Sequence, residues 1–160
     1  MKLSMAIRTI MDIYNVDMAA KILATYISKV ACEELNIEEP EICTYVRGTR
    51  EVALYVPDSK QIGLNMRYVK ELILSANSMN MRPINEIAEF VVHEIRHAWQ
   101  YAGNMEIPKN YVNGNTDFDK YYNQEIEVDA RQYASKNHER YLHAAESMII
   151  GMAEYMLDNM

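Results

Sequence analysis

The residues with the clearest chemical potential are His93-Glu94-Ile95-Arg96-His97, which read H-E-x-x-H. Two histidines four apart lie on one face of an α-helix, about a turn from each other, so both imidazoles can reach one ion. Glu94 sits beside them, where it can reach the water a metal would activate rather than the metal itself. Metal-assisted hydrolysis needs these parts: two fixed nitrogen ligands, an open coordination position and a carboxylate base. The motif fixes only three positions, so its context has to support it.

The context is helical. Pro83 to Tyr101 holds no internal glycine or proline, and Pro83 suits a first turn. Ile84, Ile87, Ala88, Val91, Val92, Ile95, Ala98 and Trp99 form one apolar stripe. His93 and His97 fall on the opposite side, and Glu94 lies at the stripe's edge. A third ligand is expected from the next helix, beginning near Tyr121 and containing Glu125-Ile126-Glu127-Val128-Asp129. Glu125 and Asp129 share a face, flanked by Tyr122, Ile126 and Tyr133, while Glu127 points nearly the other way. Glu125 is therefore the candidate carboxylate ligand. Asp129 could accept a hydrogen bond from the second nitrogen of a ligating histidine, which orients the ring and raises its basicity.

The remaining elements predict an α+β domain spanning residues 1–160. Ser4 to Tyr14 and Met18 to Leu35, the latter capped by Asp17, carry helical spacing. Glu41 to Arg47, Glu51 to Val56 and Gln61 to Leu64 are rich in β-branched or aromatic residues, with turn residues at Gly48 and Pro57 to Lys60. They predict a small antiparallel meander, whose exposed edge could add an extended peptide. Asn65 is expected to cap a helix to about Ser78. Gly103 to Lys120 is a long polar connection of the kind that forms lids, and Tyr111, Phe118, Tyr121 and Tyr122 could lie over a cleft. Tyr141 to Met160 carries a methionine-rich apolar face, suited to core packing and also to a partner helix or a dimer mate.

Composition excludes several classes. The 160 residues carry a net charge of −7, and no Lys/Arg cluster interleaves with aromatics, which argues against a nucleic-acid partner. Cys32 and Cys43 have no metal spacing and read as small apolar residues in a reducing compartment. Met1 to Tyr14 lacks the pattern of a signal peptide, and no run reaches the length of a transmembrane helix. A soluble, cytoplasmic protein without membrane partners is expected.

H-E-x-x-H at His93 to His97 followed by E-x-x-x-D at Glu125 to Asp129 resembles the gluzincin zinc metallopeptidases. Over roughly Glu41 to Ala134 the chain looks like the minimal, zincin-like members carried by phages and mobile elements, including the ImmA/IrrE type. The resemblance implies one Zn2+ per chain held by His93, His97 and Glu125, with Glu94 as general base and Asp129 as the partner that orients a ligand. It implies hydrolysis of a protein or peptide substrate, with Tyr111, Tyr121 and Tyr122 as candidates for the oxyanion or substrate contact. Arg96 stands where these small families often have glycine. Two other classes share parts of the pattern. One is a zinc-binding regulatory module with little turnover that binds a partner protein. The other is a di-iron helical protein built on Glu94 and His97, which would need a second E-x-x-H; Glu139 and His143 are spaced by four, and no other pair qualifies.

Overall fold

The computed structural model describes residues Met1–Met160. Six helices and a three-stranded sheet, which packs on the second, third and fourth of them, make an α+β arrangement as the sequence predicts. Helices α1 (Leu3–Ile13) and α2 (Val16–Leu35) form part of the core, burying Ile7, Ile10, Leu23 and Ile27. Asn15, not Asp17, caps α2: its side chain accepts a hydrogen bond from Met18 N (2.8 Å), and Asp17 lies in the first turn. That helix stops at Asn36 in the left-handed region (φ 54°), which asparagine tolerates.

Strands β1 (Glu41–Tyr45), β2 (Ala53–Val56) and β3 (Gln61–Asn65) are ordered β1-β3-β2. β2 and β3 form the expected antiparallel hairpin, but β1 runs parallel to β3. The sheet is therefore mixed, and not the wholly antiparallel meander predicted from the strand pattern. The cause lies in the connection between β1 and β2. It passes over the end of β3, where the fully buried Asn65 side chain fastens it. Asn65 Nδ2 donates to Arg47 O (3.1 Å) and Glu51 O (3.0 Å), and Oδ1 accepts from Arg47 N (3.2 Å). The same Oδ1 accepts from Arg67 N (3.3 Å) and so caps α3 (Met66–Ser75).

Helix α4 (Arg82–Trp99) is the central element and packs against α2, α3, α6 and β2. Its predicted stripe is buried: Ile84, Ile87, Ala88, Val91, Val92 and Ile95 are all at most 1% exposed. It runs into a widened π-helical turn, Gln100–Asn104, within which Gly103 leaves helical geometry with φ 94°. After a loop comes α5 (Phe118–Asn123), capped by Asp117, and then α6 (Glu125–Asp158). α6 is a single helix of 34 residues, so the expected C-terminal segment continues the helix that follows the loop. Ala130, Ala134, Ala145 and Ala153 on its inner face are at most 1% exposed. Such small residues let α6 approach α4 and α1 closely, and Met148 and Met156 pack against the core beside them. No helix is long and apolar enough to cross a membrane.

Candidate metal centre

The last two turns of α4 carry His93, Glu94 and His97. Their possible ligand atoms all lie within 4.8 Å of one another, and together the three could hold a metal ion. His93 Nε2 and His97 Nε2 are 3.1 Å apart. Into this gap α6 inserts Glu127, whose Oε2 lies 3.0 Å from His93 Nε2 and 3.2 Å from His97 Nε2. Its side chain is only 1% exposed. The other oxygen, Oε1, accepts a hydrogen bond from the Tyr111 hydroxyl (2.8 Å), which brings the loop before α5 onto the site.

Glu94 is held from the opposite side by the sheet. β2 is an edge strand, and the Tyr55 N–H donates to Glu94 Oε2 (2.7 Å). The edge that could have added a peptide is at this point turned against α4 and engaged by Glu94.

Burial and charge act against each other here. Burial pushes the Glu94 carboxyl above its usual range, opposed by His93 and His97. Burial alone would also raise Glu127, but its bonds to the two histidines hold it well below the ordinary carboxylate value. At His97, burial works to lower the pKa. The bond to Glu127 and the charges of Glu94 and Glu127 outweigh it and lift the imidazole to about 9. The Tyr111 and Tyr121 hydroxyls are both pushed up, first by burial and then by the charge of Glu127, so each remains a proton donor.

Around this centre lies a polar seam between α4 and α6. His97 Nδ1 is 2.8 Å from Gln100 Oε1, and Gln100 Nε2 donates to Ile126 O (2.9 Å) and Asp129 Oδ2 (2.8 Å). Arg96 grips the same Asp129 with two bonds, Nε to Oδ2 (2.8 Å) and Nη2 to Oδ1 (3.1 Å). The guanidinium lies 3.5 Å from the Trp99 ring centre and 4.4 Å from that of Tyr133. The bulky residue in the variable part of the motif is thus a clamp between the two helices.

The structure brings together His93, Glu94, His97, Asp129, Tyr111 and Tyr121 from the sequence-derived set. Tyr121 stands edge-on to Tyr111, with ring centres 6.4 Å apart. Glu125 and Tyr122 are set elsewhere. Glu125 is the exposed first residue of α6, and Tyr122 is exposed, with the Arg131 guanidinium 3.5 Å from its ring centre. Asp129 reaches Gln100 and Arg96, not a histidine ring. The carboxylate placed against the histidines is Glu127, two residues beyond the expected one. Sequence reasoning missed both Glu127 and Gln100. The signal for Glu127 was its spacing from Ala130 and Ala134, small residues at i+3 and i+7 that mark a close helix contact. His143, needed for a di-iron arrangement, is exposed on the distal half of α6.

Imidazole and carboxylate donors suit a divalent transition metal. No curated protein and no solved structure matches the chain. A family model described as "Peptidase of plants and bacteria" (BSP) matches residues 3–157, nearly the whole chain, and the protein belongs to that family of peptidases.

Proposed function

We propose that the protein is a zinc-dependent peptidase of the gluzincin type, in which His93, His97 and Glu127 hold the ion and Glu94 is the general base. One observation carries this reading. His93 Nε2, His97 Nε2 and Glu127 Oε2 form a triangle with edges of 3.0, 3.1 and 3.2 Å. Tetrahedral zinc with bonds of about 2.0–2.1 Å to nitrogen and oxygen has ligand–ligand edges of about 3.3 Å. The donor atoms are therefore spaced as such an ion requires, with only small adjustments. The E-x-x-x-D spacing at Glu125 does not carry over to Glu127, so the gluzincin assignment rests on a glutamate from α6 and not on that motif.

Zinc, when bound, supplies Lewis acidity towards a water and the scissile carbonyl. The chain's own residues do the rest. The Tyr55 N–H fixes one oxygen of Glu94 and leaves the other to take the water's proton and deliver it to the leaving amine. Burial raises the proton affinity of Glu94 towards what a general base working near neutrality needs. Tyr111 stays protonated over the site with its hydroxyl on Glu127 Oε1; turned from that oxygen it would donate to a developing oxyanion, with Tyr121 packed behind it. The substrate class is a protein or peptide.

The test is the metal content of untagged protein purified without added zinc, read by elemental mass spectrometry, followed by casein hydrolysis before and after chelation. About one zinc per chain, with hydrolysis lost on chelation and restored by zinc, supports the proposal. Protein that contains no metal and takes none up on titration overturns it. Protein that binds zinc but has no hydrolytic activity on any peptide would instead be a zinc-binding module acting through a partner.

A further inference from the structure

Gln100 has no exposed surface and begins the widened turn at the end of α4, where the chain leaves regular α-helical spacing. π-helical turns inside helices are often found at functional sites. Its side chain makes three hydrogen bonds, to two helices, and the partners fix which way the amide faces. Ile126 O and the Asp129 carboxylate can only accept, so the amide NH2 must point at them. Oε1 is then left facing His97 Nδ1 at 2.8 Å, and a carbonyl oxygen can only accept. The proton must therefore sit on His97 Nδ1. It follows that the lone pair of a neutral His97 is on Nε2, the nitrogen aimed at His93 and Glu127.

We infer that Gln100 is the positioning residue of the metal centre, fixing the tautomer and ring orientation of His97, and that Asp129 and Arg96 act through Gln100. This rests on the metal-centre reading above. Asp129 is the second link. Its Oδ2 takes both Gln100 Nε2 and Arg96 Nε, and its Oδ1 takes Arg96 Nη2. Arg96 is the third link, stacked between Trp99 and Tyr133. Each link is thus held by the next, and the last is held by packing. The arrangement also explains why an amide, and not a carboxylate, touches the ring. Glu94 and Glu127 already put two carboxylates beside His97. A neutral acceptor orients the imidazole without adding a third negative charge to a buried site.

The test is zinc affinity, measured by competition with a chromophoric chelator on the full chain, together with long-range 1H–15N spectra of the histidine rings in the zinc-loaded protein. Gln100→Met keeps the side-chain length and removes the hydrogen bonds. It should weaken zinc binding about 10- to 100-fold and broaden the His97 Nδ1–H signal that the unsubstituted protein shows. Asp129→Ala, which removes no atom in contact with the ring, should weaken binding by a smaller factor. The double variant should bind no worse than Gln100→Met alone, because both act along one path. If Gln100→Met fails to fold, Asp129→Ala decides: weaker zinc binding with the His97 Nδ1–H signal broadened supports the relay, and unchanged affinity overturns it. Zinc bound equally well by Gln100→Met and the unsubstituted chain overturns the inference and leaves the metal centre standing. Strictly additive losses in the double variant overturn the relay. An unsubstituted chain that takes up no zinc overturns the metal-centre reading and this inference with it.

Discussion

Helix α6 takes part in two polar clusters built on glutamate, at Glu127 and at Arg140, 13 residues apart and about 20 Å along the helix. In the first, Glu127 of α6 meets His93 and His97 of α4. In the second, Arg140 of α6 meets Glu34 of α2 through two bonds of 2.7 Å, and the Tyr141 hydroxyl also donates to Glu34. Both glutamates are held below the ordinary carboxylate range, Glu127 by the histidines against its burial and Glu34 first by Arg140. The two differ in environment. The Glu127 side chain is 1% exposed and that of Glu34 is 46% exposed. They differ also in partner, since a guanidinium keeps its protons at any working pH while an imidazole can give its proton up and offer a lone pair. Good ion-pair geometry alone therefore says little. Burial combined with a partner that can become a metal ligand separates a site from a tie between helices.

The largest expected effect falls inside the buried cluster. Glu94→Gln should lower peptide hydrolysis by about 10²- to 10⁴-fold, the usual contribution of a general base, with zinc content unchanged. Casein digestion and metal analysis on the same preparation check it, and undiminished turnover would remove Glu94 from the chemistry. Tyr111→Phe comes next. It deletes the hydroxyl on Glu127 and should reduce kcat about 10- to 100-fold with KM little altered, if that hydroxyl also serves the oxyanion. A change confined to KM would reduce Tyr111 to a tether for the loop.

The helix bearing His93 and His97 was readable because its face is set locally: Pro83 fixes the start and the 3.6-residue period fixes the buried side. The carboxylate that faces the histidines was not readable, because the phase of α6 is set at long range. Gln124 breaks the chain between α5 and α6, and its side chain is tied to the Val112 backbone in the loop, to N at 2.8 Å and to O at 2.9 Å. A helix begun near Tyr121 puts Glu125 inward, whereas one begun at Glu125 puts Ile126, Glu127 and Ala130 inward. Strand order failed for a similar reason. Alternation identifies a strand but not its neighbour, and here the neighbour is chosen by the buried Asn65 side chain. Gln100 looked like an ordinary polar residue at a helix end, and its contacts with His97, Ile126 O and Asp129 appear only when α6 is laid against α4.

The two clusters should also differ in how the metal-free protein responds to pH. His97 is raised from 6.5 to about 9, so it contributes stability that is fully present below pH 6.5 and is lost as pH rises through about 9. The loss is on the order of 3 kcal/mol for a shift of that size. In chelator, thermal unfolding should therefore fall in midpoint between pH 7 and 10. Glu127→Gln removes the charge that raises His97 and should flatten that fall. A slope of equal size in the variant would show that His97 is not coupled to Glu127.

The smallest effect is expected at the exposed cluster. Glu34→Gln removes one charge of a pair that water and salt screen, so it should cost less than about 1 kcal/mol. Its depressed pKa contributes stability above the usual carboxylate range that is lost on acidification. The variant and the unsubstituted protein should therefore converge as the pH falls below the usual carboxylate range and through the depressed pKa of Glu34, and also in about 1 M salt. Denaturant unfolding at both salt levels reads this directly. A loss of several kcal/mol that survives high salt would show that Glu34, through Tyr141 and the neighbouring Tyr133 hydroxyl, is joined to the Arg96 clamp. The second cluster would then be an extension of the first and not its contrast.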